Sequence, residues 1–144
     1  MSDHTISVNL PSSAQQLLEV STDFKKLQQF LPYCQDINII EKNGVTKTEE
    51  LFTFKYRGIS YSIRQQTVTK KIDGKIEAEI ISGPLKGTLV ETLYEEIESG
   101  TKVIVNINLK ISLKYKFLSP EINKRVKMGT MALLYKLNST IESD

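Results

Sequence analysis

Between Val103 and Phe117 the chain alternates almost without interruption. Val103, Val105, Ile107, Leu109, Ile111, Leu113, Tyr115 and Phe117 occupy the odd positions, while the even ones, Ile104 apart, are Asn, Lys or Ser. A two-residue period of this kind predicts one long strand over 103–117 with a dry face and a wet face. A strand of that length has to bend, and the next element can lie in the bend. After Ser119-Pro120 a helical pattern begins and runs nearly to the C-terminus. Ile122, Val126, Gly129, Leu133 and Leu137 make one stripe, and Met128, Met131 and Tyr135 fall on the opposite side. The middle of this helix is therefore apolar nearly all round, as in a helix buried on two sides or one offering a face to a partner. Ser119 as N-cap, Pro120 in the first turn and Glu121 at the positive end mark its start.

The same pattern places the remaining elements. Ile6, Val8 and Leu10 alternate within a short first strand, Thr5 to Leu10. Pro11-Ser12-Ser13 ends it and caps a helix over Ala14–Val20. Asp23 caps a second short helix that runs through Phe30 and is stopped by Pro32, with Phe24, Leu27, Phe30 and Leu31 as its apolar face. From Asp36 to Ile111 the pattern is strand interrupted by Asn43-Gly44, Arg57-Gly58, Asp73-Gly74, Gly83-Pro84-Leu85-Lys86-Gly87 and Ser99-Gly100. The compact Asn-Gly, Asp-Gly and Ser-Gly pairs are hairpin signals. About six consecutive antiparallel strands in meander order result from that punctuation. In the strand over 88–98 the inward face stays open, with Leu89 and Leu93 on one side and Val90, Thr92 and Tyr94 on the other.

Composition narrows the classes of function. The 144 residues suit one domain, 1–144, with a sizeable core, and 40% hydrophobic with 25% charged residues is ordinary for a globular chain. Nineteen basic against 17 acidic residues leave +2, which makes no electrostatic case for sequence-specific nucleic-acid binding. Lys110, Lys114, Lys116, Lys124, Arg125 and Lys127 form a local basic cluster, read most simply as a solvated face. Cys34 is the single cysteine and there is no leader-like start, so a cytoplasmic setting is expected, with any membrane contact peripheral. No His, Cys, Asp and Glu set has metal spacing, so neither a metal nor a cofactor is expected. His4, the sole histidine, lies near a terminus and supports no Ser-His-acid arrangement. Glu49, Glu50, Glu77, Glu79 and Glu91 sit in strands. Glu91 is the candidate acid or base if it faces inward; otherwise these carboxylates pair with lysines on the wet face. No catalytic residue is assigned.

The order strand, two short helices, antiparallel strands, long C-terminal helix resembles the α+β helix-grip fold of the START-like, polyketide-cyclase (SRPBCC) superfamily. Within it, Phe30-Leu31-Pro32-Tyr33-Cys34 looks like the Phe-Leu-Pro-Trp-Cys signature of the coenzyme-Q-binding and ribosome-association toxin branch, with Tyr33 in place of tryptophan. Gly83-Pro84-Leu85-Lys86 is similar to that branch's Gly-Pro-Phe-Lys segment, although the following Thr88-to-Tyr94 run keeps only the last aromatic.

The resemblance implies a curved sheet of about seven strands wrapped around the last helix, with a cavity between them. A dry void of about 300 Å³ costs roughly 7 kcal/mol at about 24 cal/mol per Å³, which rivals the stability of a whole domain. Side chains, water or a ligand must fill it. On that basis Phe30 and Leu31 are expected at the rim, and Phe52, Phe54, Tyr56, Tyr61, Ile63 and Tyr94 on the walls. Val105, Ile107 and Leu109 are expected on the floor, and Val126, Gly129 and Leu133 on the lid. The reading is a non-enzymatic carrier of a quinone, lipid or polyketide-like molecule. Alternatives are a cyclase or aromatase that uses Glu91 or Arg64 inside the cavity, and an interaction module. The module would use the basic cluster and the Met128, Met131, Tyr135 face for a ribosome, a membrane surface or a second copy of the chain.

Overall fold

A computed structural model describes residues 2–31 and 33–143. Pro32, expected to stop the second helix, lies outside the described residues. The elements are β1 (Ser2–Leu10), α1 (Ala14–Val20), α2 (Phe24–Phe30), β2 (Cys34–Asn43), β3 (Val45–Tyr56), β4 (Ile59–Ile72), β5 (Lys75–Ser82), β6 (Leu89–Ile97), β7 (Gly100–Leu109), a 3-10 turn (Leu113–Leu118) and α3 (Ser119–Ser143). The strands form one seven-stranded antiparallel sheet in the order β1-β7-β6-β5-β4-β3-β2. Every neighbour pair but β1–β7 is a sequential hairpin or short connection, as the turn residues require. At Arg57-Gly58 both residues have positive φ (51° and 78°), and Asp73-Gly74 repeats this (30° and 76°), the two-residue hairpin geometry that matches the strand twist.

The alternation first seen in the sequence is carried by β7. Thr101, Val103, Val105, Ile107 and Leu109 are buried one after another, and Ile6, Val8 and Leu10 on β1 are buried with them. Ile6 lies opposite Val105, and Val8 opposite Val103. Gly100 is needed where β7 begins, because a Cβ there would stand 2.1 Å from the Leu10 carbonyl oxygen. Strand β7 does not reach Phe117, however. It leaves the sheet after Leu109, which pairs with Ser2 at the start of β1, while β6 begins opposite Asn108. Among the described residues no neighbouring strand extends further, so the apolar alternation beyond 109 has no ladder to join. The chain turns instead: the Ser112 N–H donates to the Pro84 carbonyl (2.8 Å) and a 3-10 turn begins. Ile111 and Leu118 are buried, whereas Leu113 is 87% exposed. Ser119 takes helical angles (φ −48°, ψ −50°) and joins the 3-10 turn directly to α3, so it does not act as an N-cap.

The helices sit on the concave side. The α1 start is a full capping box, with the Ser13 hydroxyl accepting from the Gln16 N–H and the Gln16 side chain accepting from the Ser13 N–H. Asp23 caps α2 by accepting from the Lys26 N–H. Helix α3 is tied to the sheet edge by Asn138, whose side-chain oxygen accepts from the Ser12 hydroxyl at 2.6 Å. The Thr101 hydroxyl in turn donates to the Ser12 carbonyl at 2.7 Å. At the other end the His4 ring meets Asn123 at 2.7 Å, which gives the sole histidine a structural place. Ile122, Leu134 and Leu137 are buried beneath the helix, and Met128, Met131 and Tyr135 stay exposed on its outer face.

Candidate functional site

Between the concave sheet face and α3 lies a cavity of about 350 Å³. Its floor is Val105, Ile107 and Leu109 from β7, beside Val90, Thr92 and Tyr94 from β6. That settles the open face of the 88–98 strand: Val90, Thr92 and Tyr94 point in, while Leu89 is 49% exposed. Phe52 and Phe54 from β3, Ile63 and Gln65 from β4, and Ile76 and Ile80 from β5 continue the wall. Val126, Gly129 and Leu133 from α3 form the lid, and Leu27, Leu31 and Tyr33 stand at the rim.

Most of the residues expected at a site thus meet at one space: Leu31, Phe52, Phe54, Ile63, Tyr94, Val105, Ile107, Leu109, Val126, Gly129 and Leu133 all line the cavity. Phe30, Tyr56 and Tyr61 do not. Phe30 packs on the small cluster of Val20, Leu27 and Leu137. Tyr61 stacks on Phe54 (5.7 Å between ring centres) and tilts against Phe117 (6.1 Å), supporting the wall from behind. Tyr56 packs at the edge of the main core, under the Arg57 guanidinium. Both tyrosines lie near the tight Arg57-Gly58 turn, away from the enclosed middle of the sheet.

The candidate acid Glu91 is on the outer face, bound to Lys75 (3.4 Å) and Asn106 (3.5 Å). Arg64 is also outside, with its guanidinium 3.4 Å from Glu49. Glu77 pairs with Lys75 at 3.0 Å. Glu49, Glu77 and Glu91 therefore follow the wet-face expectation, but Glu50 does not. It shares the inward parity of Phe52 and Phe54 and is only 7% exposed. Its carboxyl accepts from the Thr67 hydroxyl and from the Gln65 amide (3.4 Å). Burial pushes the Glu50 carboxyl up from the ordinary range; hydrogen bonds from Thr67, Thr48 and Gln65 oppose that shift, and the nearby Glu49 charge adds to it.

The polar side chains of the lining divide into spent and unspent groups. Thr88 accepts from the Lys110 N–H (3.0 Å) and donates to the Lys110 carbonyl (3.2 Å). Thr130 donates to the Val126 carbonyl at 2.7 Å. Burial raises the Tyr94 phenol, with a hydrogen bond to Ser21 opposing it. Among the described residues, three buried side-chain atoms have no hydrogen-bond partner: Glu50 Oε2, Gln65 Oε1 and Arg125 Nε. Gln65 and Arg125 belong to the lining, and Glu50 lies directly opposite Gln65 on the next strand.

Arg125 also explains a basic residue near the start of a helix, where the dipole opposes it. Its guanidinium lies 4.3 Å from the Tyr33 ring centre and 5.1 Å from that of Phe54. It donates to the Lys55 carbonyl (3.0 Å) and pairs with Glu121 (2.7 Å). The residue expected on a solvated face is a clasp joining lid, rim and wall. Tyr33 reaches it from a left-handed backbone (φ 66°). Cys34 next to it is half-buried, and burial raises its thiol, which makes it a weak nucleophile. Among the described residues no group of three His, Cys, Asp or Glu side chains could hold a metal ion, and no helix is long and apolar enough to cross a membrane.

A seven-stranded curved sheet gripping a long C-terminal helix around an apolar cavity is the helix-grip architecture, and similarity to known proteins agrees. Residues 10–128 match the polyketide cyclase / dehydrase and lipid transport family, and the chain belongs to that family. No curated protein matches the sequence. Solved structures with the same fold include a Thermus thermophilus protein, TTHA0849, with 11% identity over 99% of this chain and 98% of that one, at a TM-score of 0.82. The Zhui aromatase/cyclase of a Streptomyces species has 12% identity over 98% and 93% of the two chains, at a TM-score of 0.81. A START superfamily protein of Mycobacterium smegmatis has 14% identity over 96% and 98%, at a TM-score of 0.73.

Proposed function

We propose that this protein binds and carries a hydrophobic small molecule within the cavity beneath α3. One observation carries the reading: about 350 Å³ of space, walled mainly by aliphatic and aromatic side chains, inside a chain of only 144 residues. Left dry, such a void costs roughly 8 kcal/mol at about 24 cal/mol per Å³, more than many domains can spare. An apolar occupant reverses the sign, since each buried CH₂ contributes about 0.8 kcal/mol. The volume falls within the usual range of small-molecule sites. Family membership supports the same role, and the Phe30–Cys34 and Gly83–Lys86 segments make an isoprenoid quinone one ligand to try. A cyclase built on Glu91 and Arg64 is not favoured, because both side chains face away from the cavity.

The reading is tested by native mass spectrometry of protein purified without detergent, then exposed to a ubiquinone analogue, a fatty acid and a polycyclic phenol. One-to-one adducts that a cavity-filling variant, Gly129→Phe, loses while keeping its melting transition are expected. A folded wild-type protein that takes up none of the three, or that binds them equally well with the cavity filled, contradicts the reading.

A further inference from the structure

In this mostly apolar wall Gln65 stands beside a second buried polar side chain, Glu50, and each keeps one oxygen without an internal partner. Glu50 and Gln65 face each other directly across β3 and β4. They are 7% and 6% exposed, so water outside the protein does not serve them. The Thr67 hydroxyl and the Gln65 amide both donate to the same atom, Glu50 Oε1. Glu50 Oε2 and Gln65 Oε1 are left with nothing.

The backbone around the pair is specialised to hold it there. The β4–β5 ladder shifts register between Gln66 and Thr67, and the Gln66 N–H is taken by the Ser82 hydroxyl (3.0 Å) in place of a backbone acceptor. Such an irregularity re-aims the neighbouring side chain. Behind it, Gly83 packs so closely that a Cβ would lie 2.5 Å from the Arg64 carbonyl oxygen and 3.2 Å from the Gln65 Cβ. Gly83 therefore packs directly against the Arg64–Gln65 backbone, with no room for a side chain of its own.

We infer that the Glu50–Gln65 pair is a hydroxyl-recognition point, so that the carried molecule bears an alcohol or phenol group on its apolar frame. This rests on the carrier reading above and narrows it. Two unpartnered acceptor oxygens on facing residues call for a donor, which a hydrocarbon, ether or ester lacks, and they repel a carboxylate. A ligand hydroxyl donates its single proton to Gln65 Oε1, the oxygen of the pair that belongs to the cavity lining. A site built around a substrate hydroxyl rejects the analogue lacking it more strongly than an apolar pocket rejects a change in size, because its polar atoms are left unpaired.

The test compares 2-naphthol with 2-methoxynaphthalene, which share a ring system but differ in the ability to donate, by ligand fluorescence anisotropy at pH 7. The wild-type protein is expected to bind 2-naphthol about tenfold or more tightly over the ether. Gln65→Leu should bring the two affinities within about threefold. Glu50→Gln should narrow the gap too, because its new amide can donate to Gln65 Oε1 internally. The three proteins are compared only after their melting transitions are recorded, and the wild-type ratio stands by itself if a variant does not fold. Equal binding of both probes to the wild type overturns hydroxyl recognition and leaves the carrier reading intact. A gap that persists unchanged in folded variants assigns the preference elsewhere and overturns it as well. Binding of neither probe overturns the carrier reading, and this inference with it.

Discussion

Glu50 shows how one residue's position decides its chemistry. Its neighbours in sequence, Glu49 and Leu51, have ordinary surroundings, but strand parity turns the Glu50 carboxyl inward, where burial outweighs three hydrogen bonds and raises its proton affinity. The consequence for stability has a definite sign. When a carboxyl holds its proton more tightly in the folded chain, the unfolded chain ionises first as pH rises, and the folded state loses ground. The Glu50 contribution is thus most favourable below its ordinary value of 4.5 and declines as pH passes upward through the folded value. Glu50→Gln removes that decline. Relative to wild type, the variant is expected to gain in melting temperature from pH 4 to pH 7. A difference that stays flat or reverses over that range would mean that Glu50 is solvated or paired in solution.

At the scale of elements, the end of β7 is the informative case. If the strand ran on to Phe117, Leu113 would belong to its dry face. In the structure it is 87% exposed, whereas Leu118, out of step with the alternation, is fully buried. Leu113→Ser is therefore expected to shift stability by less than about 0.5 kcal/mol, and Leu118→Ala to lower it by about 2–5 kcal/mol, both read from urea unfolding midpoints. The opposite ranking would restore the longer strand. The difference marks what the sequence could reveal. Periodicity reports which side chains are fit for a face, but a strand also needs neighbours, and the ends of β1 and β6 are set by pairing that no local pattern announces. Turn chemistry was legible for the same reason that β7's end was not: Asp73-Gly74 and Arg57-Gly58 act within two residues. The apolar cavity wall could be read from alternation, as Phe52, Phe54, Ile63 and Val105 show. The polar residues in it were harder. Glu50 and Gln65 carry the right parity, which is the one signal they gave, while Arg125 lay hidden in a run of basic residues because its partners Tyr33, Phe54 and Lys55 are distant in sequence.

On the scale of the whole molecule, the sheet and α3 are held apart as much as together. Asn138 and Ser12 pin the helix at one end, and Arg125 clasps Tyr33, Phe54, Lys55 and Glu121 toward the other. Between those fastenings Val126, Gly129 and Leu133 roof a space that stays open. A core under selection for stability alone would close it, given the free energy an empty cavity forgoes. The most direct measurement is to locate an apolar ligand by amide and methyl chemical-shift mapping during titration with 2-naphthol. Perturbations concentrated at Val105, Ile107, Val126, Gly129 and Leu133, with the exposed Met128, Met131 and Tyr135 face unchanged, are the predicted result. Shifts confined to that outer face, or none at saturating ligand, would contradict a ligand site beneath α3.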